Sequence, residues 1–210
     1  ALVNPKIAEQ WLANIYTGVQ AVRFEVDAIA EANSLINPDT IEVGQALIIP
    51  GVIFQPIGPE NKLLPDSELV YGPLASSTNL DLFIVENKGY LSLYTEEVHD
   101  QILSSTDIIN QIARDYSVNP RLLLALVEYK SGWLTNPTPV DIRNPFGYID
   151  EWYTGLYRQL AWAAIHLNSG YYRWKTGSVT EWVLADGLVV PIATTINPGT
   201  AGVQNLFAKL

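Results

Sequence analysis

Asp115-Tyr116-Ser117-Val118-Asn119-Pro120-Arg121-Leu122-Leu123-Leu124-Ala125-Leu126-Val127-Glu128-Tyr129-Lys130-Ser131-Gly132-Trp133 is the stretch from which the fold can be read outward. Asn119-Pro120 opens a helix there, since proline lacks only a donor that the first helical turn never uses. The run Leu122–Val127 is apolar nearly all round, which marks a helix inside a domain rather than on its surface. Before it, Ser105 caps a helix with Ile108, Ile109, Ile112 and Tyr116 on one face. After it, Leu156, Leu160, Ala163, Ala164 and Leu167 predict another helix, with Gly170 as its stop. Glu181–Val190 reads as a hairpin turning on Asp186-Gly187. Asn197-Pro198 opens a last helix bearing Val203, Leu206, Phe207 and Leu210. Leu80–Val85 alternates weakly and predicts a strand, whereas Tyr90–His99 carries no decided period.

Residues 80–210 are therefore expected to form a helical domain with one β-hairpin. Residues 1–50 are a smaller unit. Ile7, Trp11 and Ile15, then Val22, Val26, Ile29 and Ala30, predict two short helices, and Ala46–Pro50 a strand. Between the two units, residues 51–79 read as a proline-rich linker broken by Pro56, Pro59, Pro65 and Pro73. Its Ile53, Phe54, Leu63, Leu64 and Val70 predict that it packs as an extended strap. The fold class is α+β, mainly α.

Composition bounds the function. Of 210 residues 48% are hydrophobic and 16% charged, enough for a packed core. A net charge of -10 disfavours nucleic acid, whose binding rests on cationic side chains at phosphates, and disfavours an anionic membrane surface. No apolar run approaches the ~20 residues that span a bilayer. Without cysteine there is no thiol chemistry and no Cys-ligated zinc. His99 and His166 are far apart with no acid at ligand spacing, so neither a metal nor another cofactor is expected. The chain has no methionine and begins Ala1-Leu2-Val3, which reads as an exported protein, extracellular or at the cell surface, with its signal segment removed; a trimmed fragment is the rival reading.

The stretch Asp27–Asn33, followed by Asn37–Pro50 with its Val43-Gly44-Gln45-Ala46-Leu47-Ile48-Ile49-Pro50 ending, resembles the second half of a LysM module. That family binds N-acetylglucosamine chains of peptidoglycan and chitin in a shallow groove between two loops. The resemblance places the second loop at Asn33, Ser34, Leu35, Ile36 and Asn37, and implies a cell-wall glycan as partner. The family's opening strand and Gly-Asp-Thr loop have no counterpart in Ala1–Trp11.

Asp115–Leu126 with Ser131-Gly132-Trp133 resembles the catalytic-helix segment of lysozyme-like lytic transglycosylases, continued more weakly by Pro145–Tyr148 and Gly155–Leu160. Those enzymes use one glutamate as acid and then base, standing immediately before the Ser-Gly pair. Here that position is Lys130, whose ammonium cannot return as a carboxylate base. Glu128 lies two residues earlier, roughly 200° around the helix at ~100° per residue, facing away from a bound sugar. The expectation is a pseudoenzyme without a catalytic residue; an active enzyme would have to use Glu128. Asp141, Asp150 and Glu151 are candidates for a second carboxylate, and nothing in their spacing separates them.

Five of six tryptophans lie between 129 and 182, among many tyrosines. Such rings can lie against sugar faces, and Trp133 and Tyr148, flanking the expected cleft, are the candidates for glycan contact; Trp162 reads as core. The order of LysM-like unit, strap and helical region also resembles the segment before the catalytic domain of exported lysostaphin-type zinc endopeptidases, whose zinc ligands have no counterpart here. Three functions follow. The first is a secreted non-catalytic protein binding peptidoglycan-type glycan. The second is a structural or assembly subunit of a surface complex, contacting other surface proteins or itself. The third is a lytic transglycosylase using Glu128.

Overall fold

The computed structural model describes residues 30–37, 60–76 and 79–210. The helices expected before Ala30 and the strand at Ala46–Pro50 lie outside the described residues. Seven helices are described: α1 (Asp66–Leu69), α2 (Pro73–Ser76), α3 (Leu80–Asn87), α4 (Ser105–Asp115), α5 (Pro120–Ser131), α6 (Leu156–Lys175) and α7 (Pro198–Phe207). Two antiparallel hairpins accompany them, β1 (Thr95–Val98) with β2 (Gln101–Ser104), and β3 (Glu181–Val183) with β4 (Val189–Pro191). The fold is α+β and mainly α.

Local chemistry sets the ends of these elements. The Asn119 side chain accepts the Arg121 N–H at 3.0 Å ahead of Pro120, and Gly132, at φ 67°, closes α5 by donating to the Glu128 carbonyl. α4 begins one residue earlier than the sequence suggests. Ser104 is its cap, in a reciprocal box with Asp107, and the buried Ser105 hydroxyl instead donates to the Leu91 carbonyl.

Leu80–Val85 is helix, not strand. The buried Leu80 and Ile84 stand four apart, the helical interval, and the Asn79 side chain accepts the Leu82 N–H at the start. Tyr90–His99 divides into a 3₁₀ turn (Tyr90–Leu93) and β1. The first hairpin was not expected. His99 and Asp100 both adopt left-handed φ, as a two-residue hairpin turn requires, without the Asn-Gly or Asp-Gly pair that would announce it. The second hairpin lies where it was expected, Trp182 opposite Val190, with Gly187 at φ 87° in its turn.

α6 does not stop at Gly170. That glycine is buried against α7: a Cβ there would lie 2.5 Å from the Asn205 Cβ and 2.6 Å from the Ala201 carbonyl oxygen. Gly202 serves the same crossing, since its Cβ would meet the Leu167 oxygen at 2.8 Å.

The main core gathers α4, α5 and α6 around Ile108, Ile112, Leu123, Val127, Leu160 and Leu167, all without solvent exposure. A second core beneath β3–β4 joins Val179, Trp182, Val190, Ile192 and Ile196 to Ala201 of α7. Residues 60–76, within the stretch read as linker, are built into the main core through Leu64 and Leu69. Thr200 Oγ1 accepts the Leu63 and Leu64 N–H groups, and Asp66 Oδ1 accepts from Asn197 Nδ2 and the Gly199 N–H at the start of α7. The strap also bonds Tyr71 N–H to the Ser117 carbonyl, and its Leu69 carbonyl accepts the Asn119 N–H, at the mouth of α5.

Candidate functional site

The C-terminal end of α5 is where a lysozyme-like site would stand. Lys130 lies three residues on from Val127, four from Leu126 and seven from Leu123, all buried, so it continues the core-facing stripe. It is half-buried, and removal of its ammonium from water lowers its pKa. Among the described residues no acid pairs with it.

Glu128 lies on another side of the helix, and its carboxylate is turned onto the chain that leaves α5. Oε2 accepts the Leu134 N–H at 2.9 Å and the Thr135 N–H at 3.2 Å, while Oε1 accepts the Thr135 hydroxyl at 2.6 Å. A carboxylate so engaged organises a loop.

Trp133 departs from its expected role. It is completely buried, packed edge-on to Tyr90 at 4.8 Å and tilted on Tyr94 at 5.2 Å, with its indole N–H donating to the Asp141 carbonyl. It offers no face to a sugar, because the 3₁₀ turn that follows α3 covers it. Tyr148 is half-buried, with one face stacked on Trp162 at 4.3 Å and 16° and Tyr153 against it edge-on. Trp162 is buried, and the His166 ring stands edge-on beside it. Burial, with the charge of Lys209 as a smaller cause, lowers the His166 pKa.

The loop acids are separated by what they hold. Desolvation is the largest single influence on Asp141 and raises its pKa, but the hydrogen bonds from the Arg143 and Asn144 N–H groups and the Asn144 amide, with the Arg143 charge, together outweigh it and leave it lowered. Asp150 Oδ1 accepts the Trp152 N–H, and Glu151 is exposed. His99 meets Tyr157 edge-on, far along the chain from His166. Among the described residues no group of three metal-ligating side chains converges.

Two features escaped the sequence reading. Glu96, on β1, accepts the Tyr94 hydroxyl and the Tyr157 N–H, while the Tyr94 oxygen accepts the Leu156 N–H, so the uncapped start of α6 at Gly155 is closed from another strand. Burial, with the Glu96 charge beside it, pushes the Tyr94 hydroxyl well above its ordinary pKa. Gln159, wholly buried on α6, donates its amide to the Tyr148 and Tyr153 carbonyls and accepts the Phe146 N–H. A glutamine in an otherwise apolar helical stripe was the available signal for the latter.

Of the expected LysM loop, residues 33–37 are described. The chain leaves a helical turn at Ala30–Ala32 through Ser34 at φ 52°, with Leu35 N–H donating to the Ala30 carbonyl and Ser34 N–H to that of Glu31. Ser34, Ile36 and Asn37 are exposed, Ile36 completely so.

These features describe a mainly helical domain arranged around a buried central helix, and before it a helical turn and loop at residues 30–37 in which Ser34, Ile36 and Asn37 are exposed. The family model of the LasA N-terminal domain matches residues 62–210, and that of the LysM domain matches residues 13–50. The chain belongs to the LasA N-terminal domain family, a membership that points to the cell envelope, and the LysM match points to peptidoglycan- or chitin-type glycan. Neither a curated protein nor a solved structure matches the chain. Among the described residues no helix is long and apolar enough to cross a membrane.

Proposed function

We propose that this is a secreted cell-envelope protein that holds N-acetylglucosamine-type glycan through its LysM segment and does not cleave it. The observation that carries the reading is the LysM match over residues 13–50, within which Ser34, Ile36 and Asn37 of the expected second loop are exposed to solvent. The absence of cleavage rests on chemistry at the end of α5. The position that resembles the transglycosylase acid is Lys130, and the nearest carboxylate, Glu128, already receives three hydrogen bonds from Leu134 and Thr135. A glycosidic acid must hold a proton and deliver it to a leaving oxygen. Glu128 is arranged as an acceptor facing donors.

The test is co-sedimentation of the folded chain with purified sacculi, together with analysis of the soluble products. Retention on the pellet without release of anhydro-muropeptides is expected. A folded protein that stays in the supernatant would overturn the binding, and soluble products lost in Glu128→Gln would overturn the absence of cleavage.

A further inference from the structure

We infer that Trp152, on the long loop between α5 and α6, is a second contact for the same class of glycan, so that the chain grips a polysaccharide at two places; this rests on the glycan-binding reading above. Residues 132–155 contain no helix or strand. Irregular connections longer than about 12–15 residues are uncommon in compact domains and serve binding or are disordered. This one is fixed. Gln159 ties down its middle, Trp133 bonds to the Asp141 carbonyl, and the Gly155 N–H closes the loop on the Arg143 carbonyl at 2.8 Å.

On that fixed frame Trp152 is 78% exposed, and no ring contact covers it among the described residues. Its backbone, by contrast, is held at both ends: the N–H donates to Asp150 Oδ1 at 2.8 Å and the carbonyl accepts from Arg158 Nη1 at 3.0 Å. Of the two tryptophans of the loop, Trp133 is buried and Trp152 is presented to solvent from an anchored position, although an indole gains much by burial.

The neighbours favour a sugar over a protein partner. Protein interfaces are depleted of charge at their centres. Trp152 follows Asp150 and Glu151 directly in sequence and has the Arg158 guanidinium at its carbonyl, so charged groups able to exchange hydrogen bonds with sugar hydroxyls stand along its backbone, next to a side chain whose ring suits the apolar face of a pyranose. A second weak contact in a chain that already carries a LysM segment gains from effective concentration, provided the ligand is long enough to reach both.

The experiment compares the 210-residue chain with Trp152→Ala and Trp152→Phe on purified sacculi and on chitopentaose, with the indole N–H resonances followed by NMR. Trp152→Ala is expected to lose about tenfold or more of its retention on sacculi. Trp152→Phe should keep most of it, and the Trp152 indole resonance should move on adding chitopentaose. If the parent chain binds sacculi but Trp152→Ala binds equally well and the resonance stays still, this inference fails and the LysM reading stands. A parent chain that binds neither ligand overturns both.

Discussion

At the end of α5 two side chains only two residues apart meet opposite conditions, and each sets a measurable consequence. Glu128 supplies negative charge to N–H donors of the departing chain. Glu128→Gln keeps an acceptor for those donors but removes its charge, and should lower stability by about 1 kcal/mol, seen as a lower urea midpoint at unchanged slope. Under a catalytic role the same change would cost turnover and leave the midpoint alone. Lys130 is half-buried without an opposite charge, and burial lowers its pKa. The charged form is therefore disfavoured in the folded state. Its destabilising effect is fully present below the lowered folded pKa, and disappears as pH rises through that value toward the unfolded one. Lys130→Met is accordingly expected to raise the melting temperature at neutral pH, with the gain shrinking as pH approaches the ordinary lysine range of about 10.4.

The crossing of α6 on α7 is the place where an element depends on having no side chain. Gly170→Ala would improve helix propensity by up to about 1 kcal/mol, yet its methyl would be forced onto Asn205 and the Ala201 carbonyl. Overpacking of this kind costs about 1–3 kcal/mol, so a net loss in thermal stability is expected. The same glycine shows why an element end is hard to read: a helix stop and a close helix crossing leave identical traces in a sequence. Asn119-Pro120 and Asp186-Gly187 were legible because their signals are local. The start of α6 at Leu156 was legible too, but not the groups that close it, since Glu96 and Tyr94 come from roughly sixty residues earlier. Trp133 misled for a related reason. Its neighbours in sequence are loop residues, but its packing partners, Tyr90 and Tyr94, arrive from the turn beyond α3. The strap is likewise held at a distance: Asp66→Ala removes the acceptor for Asn197 and Gly199, and faster hydrogen exchange at the first turn of α7 is the expected readout.

Across the whole molecule, a net charge of -10 and an uncharged N-acetylglucosamine chain make a pair with little Coulombic attraction. Binding to chitooligosaccharide should change little between low and high salt, as titration at several ionic strengths would show; a steep fall with salt would point to an ionic partner instead. Gln159 gives the molecule a further property. One neutral amide holds two carbonyls and one N–H of the loop that carries Trp152. Were that amide hydrolysed to an acid, a change of about one dalton, its negative oxygen would stand against the Tyr148 and Tyr153 carbonyls it now serves as donor. Gln159→Glu should therefore loosen the Trp152 loop while leaving the helices in place, and is expected to weaken the grip on polysaccharide with the circular dichroism unchanged.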